Sequence, residues 1–148
     1  MRAVEPSVFE NIVARLLEKL DYGSMTEGSI EVTGRSGDEG VDGICSMDVL
    51  GLLKVLFQAK RWSKDNLVTP HDIRDFIGAI HNKRANYGVF ITTSDFTKQA
   101  IEEVEKAGNI RVINGKELAL LAIKTGLGVK KSSINYPRLD EDFFAGLG

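Results

Sequence analysis

The segment from Lys54 to Trp62 reads KVLFQAKRW, and its alternating pattern decides how this chain is interpreted. Successive side chains of a β-strand point to opposite faces. Leu56, Gln58 and Lys60 therefore share one face with Lys54, and the other face carries Val55, Phe57, Ala59 and Arg61. We therefore predict a strand from Leu53 to Trp62. Gln58 and Lys60 project side by side near its carboxyl end.

A second strand is predicted immediately before this one, from Val41 to Met47. The connection around Asp48 to Gly51 is short enough for an antiparallel hairpin. Pairing of the two strands would bring Asp42 next to Gln58 and Lys60.

An acid, an amide oxygen and an amine at one sheet edge suit hydrolysis with magnesium. Magnesium takes oxygen ligands and keeps several waters, so one carboxylate and a substrate phosphate can hold it. The metal would lower the pKa of a bound water, and Lys60 would orient that water or stabilise negative charge. A structural interpretation also fits the spacing, with Lys60 and Arg61 as solvated strand-end charges and Asp42 as a turn residue. Spacing alone leaves both interpretations open.

The remaining elements follow from apolar periodicity and end signals. They are a helix with a stripe from Val8 to Leu20 capped by Ser7, a strand from Ser29 to Thr33, a glycine-rich loop from Gly34 to Gly40, a helix opened by Thr69-Pro70, a strand from Tyr87 to Thr92, a helix from about Asp95 to Ala107, a strand from Ile110 to Ile113, and a helix that follows Asn114 and ends near Gly126. The order is α-β-β-β-α-β, then α-β-α. We predict one domain over residues 1–126 and a tail over residues 127–148.

Composition limits the function. The chain has 148 residues, 43% hydrophobic and 27% charged, as a globular domain does. No apolar run approaches the roughly 20 residues that span a bilayer, and no signal sequence is recognisable, so we expect a cytoplasmic protein with no membrane contact. The net charge is −2. A DNA-binding domain is usually basic, so action on DNA would require local positive charge or a partner module.

Four separated motifs resemble the catalytic core of Mrr-like restriction endonucleases, in the PD-(D/E)xK nuclease superfamily. They read GDEGVDG at 37–43, FQAKRW at 57–62, GVFITTSDFT at 88–97 and VINGKEL at 112–118. The resemblance runs from about Ser7 to Ile123. It implies an α/β fold with a restriction-endonuclease-like αβββαβ core, in which helices flank a central mixed sheet. It also implies a magnesium-dependent DNA endonuclease, with Mn²⁺ able to substitute, that restricts foreign or modified DNA.

The resemblance assigns roles to individual residues. Asp42 stands at the metal-binding aspartate and Lys60 at the catalytic lysine. Gln58 takes the place usually held by an acid, so it offers only an amide oxygen as a metal ligand. Glu10 matches the acidic residue that is often found on the first helix. Glu10 also has a competing interpretation, because Ser7 and Glu10 fit the spacing of a capping box.

DNA contacts are expected near these residues. The candidates are basic, aromatic or hydroxyl side chains, namely Arg35, Arg61, Trp62, Lys64, Thr93, Ser94 and Lys98. Hydroxyls, free N–H groups and a lysine at a helix start would form a phosphate site. The alternatives are that Ser94 or Asp95 only caps that helix and that Trp62 lies at the edge of the core.

Family members commonly join this catalytic domain to a separate DNA-reading domain, so we expect such a domain or subunit as a partner besides DNA itself. One site per chain favours a homodimer for cutting both strands. Two other functions stay open. Gln58 allows a non-catalytic nucleic-acid-binding module, and the negative net charge with the Asp140–Phe144 tail allows a protein-interaction domain.

Overall fold

The computed structural model describes residues 3–20, 30–32, 40–132 and 141–147. Its elements are α1 (Pro6–Lys19), β1 (Ile30–Val32), β2 (Gly43–Ser46), β3 (Lys54–Lys60), α2 (Pro70–Asn82), β4 (Tyr87–Thr92), α3 (Lys98–Ala107), β5 (Ile110–Ile113), α4 (Gly115–Thr125) and α5 (Glu141–Ala145). The predicted order of elements is confirmed, and the short α5 lies in the predicted tail. In the described ranges, no helix has both the length and the apolar character to cross a membrane.

The strands form one mixed sheet in the order β1-β2-β3-β4-β5. The β1–β2 and β2–β3 pairs are antiparallel, whereas β3–β4 and β4–β5 are parallel. Gly43 pairs with Phe57 at one end of the β2–β3 hairpin, and Lys60 pairs with Thr92 at the end of β3. The predicted hairpin and mixed sheet are therefore confirmed.

Helices cover both faces of the sheet because the strands alternate apolar side chains. Phe57 and Val89 join the cluster that includes Phe9 of α1 and the apolar side of α4. Leu56 and Phe90 join the opposite cluster, formed with α2 and α3. By the same alternation, Gln58 and Lys60 follow Leu56 on the α2–α3 side of β3.

The start of α1 corrects one prediction. Ser7 is not the N-cap: the helix begins at Pro6, Glu5 is the N-cap, and no side chain caps it. Proline is favoured at the first helical position because its fixed φ already suits the helix. Ser7 thus lies inside the first turn, and the predicted capping box between Ser7 and Glu10 does not form.

The start of α3 corrects another prediction. The helix begins at Lys98, and Thr97 is its cap, accepting a hydrogen bond from the Ala100 N–H at 3.1 Å. Asp95 does not begin the helix, because its carbonyl accepts from the Val68 N–H at 2.9 Å and Phe96 forms a β-bridge with Val68. These contacts keep the chain extended after β4.

Candidate active site

Asp42 lies one residue before β2, at the open end of the β2–β3 hairpin. Its backbone N–H donates to the Phe57 carbonyl at 3.1 Å. Its carboxylate Oδ2 accepts a hydrogen bond from the Ala59 N–H. Because Ala59 separates Gln58 from Lys60, this bond holds the Asp42 carboxylate beside the part of β3 that carries both.

The electrostatics of Asp42 connect three parts of the chain. Burial raises the pKa of Asp42 from 3.8 to about 6, and the Ala59 N–H opposes that rise. The Glu10 carboxylate raises the same pKa further, while the Lys60 ammonium lowers it. Charges affect a pKa in this way only at short range. Glu10 of α1 and Lys60 of β3 therefore both act on the charge of Asp42.

Gly40 completes this side of the site, and the sequence identified it only as a loop glycine. Its φ of +76° lies in the left-handed region that glycine favours. A Cβ at Gly40 would lie 2.6 Å from Gln58 Nε2 and 3.7 Å from Lys60 Nζ. The backbone therefore passes directly over both side chains, and Gln58 is 6% exposed. The signal in the sequence was a glycine two residues before Asp42.

The donor set fits a hard divalent cation. Asp42 and Glu10 offer carboxylate oxygens, and Gln58 offers an amide oxygen. A cation would relieve the repulsion between the two carboxylates, which is one cause of the raised pKa of Asp42. Over the described ranges, no group of three or more His, Cys, Asp or Glu residues could enclose a metal. This sparse oxygen set suits magnesium, which keeps waters and binds substrate phosphate, better than a structural zinc.

Thr93 and Ser94 do not form the exposed phosphate site expected from the sequence. Both are buried, at 3% and 5% exposure, and the helix that was expected to follow them from about Asp95 begins only at Lys98. Their hydroxyls donate to backbone carbonyls, Thr93 to Trp62 at 2.7 Å and Ser94 to Lys64 at 3.2 Å. The arrangement assigns these hydroxyls to the protein backbone.

The other expected DNA contacts lie in different environments. Lys64 and Lys98 are exposed, and Arg61 and Trp62 are half-buried. Trp62 packs against the cluster of α2 and α3, as the alternative interpretation of a core-edge residue proposed. Arg35 and most of the glycine-rich loop lie outside the described residues.

The sheet topology is that of a restriction-endonuclease-like fold. A carboxylate, an amide and an ammonium lie at the open end of its β2–β3 hairpin. Two solved structures share this fold. The DNA modification-dependent restriction endonuclease AspBHI superposes with a TM-score of 0.66 at 23% identity, over 83% of this chain and 32% of that chain. The MspJI restriction endonuclease in complex with a 27-mer oligonucleotide superposes with a TM-score of 0.53 at 21% identity, over 94% of this chain and 35% of that chain.

Sequence comparison gives the family. The restriction endonuclease family defined by the Mrr catalytic domain matches residues 1–122, and this chain belongs to that family. The chain is also 40% identical over 141 residues to the type IV methyl-directed restriction enzyme EcoKMrr of Escherichia coli (strain K12). The matched region covers 95% of this chain and 45% of that relative, so the chain spans less than half the relative's length.

Proposed function

We propose that this chain is the catalytic domain of a magnesium-dependent DNA endonuclease that hydrolyses phosphodiester bonds. One observation carries the proposal. The Asp42 carboxylate is desolvated, bonded to the Ala59 N–H, and under the joint electrostatic influence of Glu10 and Lys60. A partly buried carboxylate under the influence of a second acid and an amine is a suitable ligand for a cation at a DNA phosphate.

The metal-binding groups are Asp42 and Gln58, with Glu10 as an additional carboxylate. When bound, Mg²⁺ or Mn²⁺ supplies a water of lowered pKa and neutralises charge on the phosphate. Asp42 must be ionised to bind the cation. Its contact with the Ala59 N–H favours the ionised form and leaves the second carboxylate oxygen available.

Lys60 has the catalytic role that is separate from metal binding. Its ammonium is near enough to Asp42 to lower the pKa of that carboxyl, so it lies beside the proposed cation and phosphate. There it orients the attacking water and stabilises negative charge that develops on the phosphate oxygens. The attacking water gives a proton to solvent as its oxygen bonds to phosphorus, the bond to the leaving oxygen breaks, and that oxygen takes a proton from solvent.

The substrate is held weakly by this domain. Arg61, Trp62 and Lys64 follow Lys60 directly and would contact the DNA backbone, with Lys98 and Arg35 as further cations. The net charge of −2 requires that this positive charge be local. We therefore assign residues 1–126 to the nuclease domain and expect a separate DNA-reading domain or subunit. The relative's printed name suggests methylated DNA as the restricted substrate. One site per chain favours a homodimer for cleavage of both strands.

The test is cleavage of supercoiled plasmid, methylated and unmethylated, with Mg²⁺ or Mn²⁺ and with EDTA as control. We expect nicked or linear product that EDTA abolishes and that Asp42→Ala and Lys60→Ala lose. If the plasmid stays intact under every condition while the protein still binds DNA, the domain is a non-catalytic binding module, and the proposal is wrong.

A further inference from the structure

Hydrogen bonds between β3 and β4 continue beyond the ends of both strands. The strands end at the paired residues Lys60 and Thr92. Beyond this pair, three consecutive hydroxyls donate hydrogen bonds to every second carbonyl of the facing segment. Thr92 Oγ1 donates to the Lys60 carbonyl at 2.9 Å, Thr93 Oγ1 to the Trp62 carbonyl at 2.7 Å, and Ser94 Oγ to the Lys64 carbonyl at 3.2 Å. We call these three bonds the hydroxyl ladder. It connects the β4–α3 junction to the segment that follows the proposed catalytic lysine.

Thr93 takes the place of a neighbouring strand for Trp62. Its hydroxyl accepts from the Trp62 N–H at 2.9 Å and donates to the Trp62 carbonyl at 2.7 Å. One hydroxyl thus contacts both backbone polar groups of Trp62, as a paired strand residue does. Because Thr93 is 3% exposed, water cannot easily replace its hydroxyl. Its loss would remove this donor from the Trp62 carbonyl and leave the Trp62 N–H with the Lys60 carbonyl, at 3.1 Å, as its acceptor. The loss of a hydrogen-bond partner in a partly buried position is costly.

The ladder is held from the opposite side by the start of α4. The Gly115 N–H donates to the Ser94 carbonyl at 2.8 Å. A Cβ at Gly115 would lie 2.4 Å from the Thr93 carbonyl oxygen, which is too close for any side chain. Thr93 and Ser94 therefore have little freedom to move away from the segment that they bind.

The segment held by the ladder carries three of the cations of the proposed site, Lys60, Arg61 and Lys64. It runs from Lys60 to Val68, and Val68 is fixed at its far end by the β-bridge to Phe96. Lys64 and its neighbours up to Leu67 are exposed. Between Lys60 and Val68, the described residues form no strand or helix. The path of this segment is therefore held by the side-chain hydroxyls of the β4–α3 junction together with the backbone bonds at its two ends, from Thr93 to Lys60 and from Val68 to Asp95.

We propose that Thr93 is a positioning residue of the nuclease site. Through Trp62 it fixes the backbone from Lys60 to Lys64, and thereby sets where the Lys60 ammonium and the Lys64 side chain meet DNA. This inference rests on the proposed function. Rates of positioned reactions are sensitive to displacements of about 1 Å, so losing one hydroxyl here should be visible in the rate of cleavage.

The test compares Thr93→Val, which keeps the shape but removes the hydroxyl, with Thr93→Ser, which keeps the hydroxyl. Thr125→Val is the matched control, because the Thr125 hydroxyl also donates to a carbonyl, that of Leu121 at 2.9 Å, on the remote part of α4. Trp62 is the only tryptophan of the chain, so its fluorescence reports directly on the held segment. Acrylamide quenching of that fluorescence requires no enzymatic activity.

We expect Thr93→Val to increase the quenching of Trp62 and to lower the single-turnover cleavage rate at saturating DNA about tenfold to a hundredfold. Thr93→Ser should stay near wild type in both measurements, and Thr125→Val should change neither. Wild-type quenching and cleavage in Thr93→Val would overturn the proposal. If even the wild type fails to cleave, the proposed function is wrong, but the quenching still decides whether Thr93 positions the segment.

Amide hydrogen exchange on the wild type decides the matter if Thr93→Val does not fold. The Trp62 N–H lies outside the strands, and it donates to the buried Thr93 hydroxyl and to the Lys60 carbonyl. If Thr93 holds the segment in place, this amide should be protected as strongly as the amides of β3. Exchange as fast as that of exposed loop amides would overturn the inference, and slow exchange would support it.

Discussion

The Asp42 carboxylate accepts a hydrogen bond from the backbone N–H of Ala59, the residue between Gln58 and Lys60. A side chain bonded to a strand backbone is restricted in its rotation. The relation of the acid to the amide and the amine is therefore set largely by the β2–β3 register. We infer that a short antiparallel hairpin is sufficient to assemble most of the proposed site.

The raised pKa of Asp42 predicts how stability depends on pH without metal. From about pH 4 to pH 6 the folded state binds more protons than the unfolded state, because the folded pKa is about 6 and the reference value is 3.8. Stability should therefore fall as pH rises through this window and remain lower above it. Asp42→Asn removes this partly buried charge. Its free energy of unfolding should therefore exceed that of the wild type by on the order of 2 kcal/mol at pH 8 and differ little from it at pH 4. Urea unfolding in EDTA at both pH values measures this, and equal stability at pH 8 would contradict it.

Addition of metal should make the wild type more stable than Asp42→Asn, the reverse of their order without metal. Wild-type protein should be stabilised by Mg²⁺ or Mn²⁺ in proportion to the logarithm of metal concentration, because the cation binds only the folded site. Asp42→Asn should show no such stabilisation and no cleavage, since it lacks the charged ligand. Thermal unfolding with increasing Mn²⁺ is the measurement. Stabilisation of the variant equal to that of the wild type would remove Asp42 from the metal site.

Glu10 offers a test that does not depend on cleavage. Its carboxylate raises the pKa of Asp42, so Glu10→Gln should lower that pKa. Glu18→Gln, an exposed position on the same helix, is the control and should leave the Asp42 pKa unchanged. Titration of the Asp42 side-chain carbon by NMR in metal-free buffer gives both values. An unchanged pKa in Glu10→Gln would place Glu10 outside the site.

Gln58 decides how much charge the site can hold. Gln58→Glu adds a buried carboxylate beside Asp42, so the metal-free variant should be less stable than the wild type. With metal present, the added charged ligand should tighten Mn²⁺ binding, and cleavage should persist or change its metal preference. Calorimetry and plasmid cleavage measure the two effects. Wild-type cleavage by Gln58→Ala would show that the amide oxygen is not a significant ligand.

Gly40 should tolerate no side chain. Gly40→Ala combines a left-handed backbone with a Cβ 2.6 Å from Gln58 Nε2, so it should displace Gln58 and reduce metal-dependent cleavage. Gly78→Ala is the matched control, because Gly78 lies in α2 with nothing within 4 Å of an added Cβ. The control should keep cleavage and gain about 0.5–1 kcal/mol of stability. Equal cleavage by both variants would contradict the role given to Gly40.

The sequence could predict the parts of the site that depend on local periodicity. Alternation identified the face of Gln58 and Lys60, and the short connection predicted the hairpin that brings Asp42 to β3. Thr93 and Ser94 could not be interpreted in this way. Whether a hydroxyl meets DNA or a carbonyl depends on the path of residues 61–64, which has no regular pattern. Glu10 was ambiguous for a simpler reason, because Ser7 and Glu10 have the spacing of a capping box although Pro6, as the first helical residue, places Ser7 inside the helix.

Substitution of Lys60 tests whether the domain is an enzyme or a non-catalytic binding module. Lys60→Ala should lower the single-turnover cleavage rate at saturating DNA by about 100-fold or more, because a positioned ammonium stabilises charge that develops only in the transition state. DNA binding should weaken only modestly, since one charge among several is lost. Lys60→Arg should not restore the rate, because a broad guanidinium fork does not replace a compact ammonium beside one water.

Lys64 provides the contrasting variant on the same segment. Its side chain is exposed and lies four residues after Lys60, so Lys64→Ala should act through DNA affinity. The loss of one phosphate contact should lower the slope of log K against log salt concentration by about 0.9. Saturating DNA should then restore its cleavage rate, which it cannot do for Lys60→Ala. The comparison therefore requires rates measured at several DNA concentrations for both variants. If saturating DNA restores the rate of Lys60→Ala as well, Lys60 is a phosphate contact, and its assignment as the catalytic lysine is wrong.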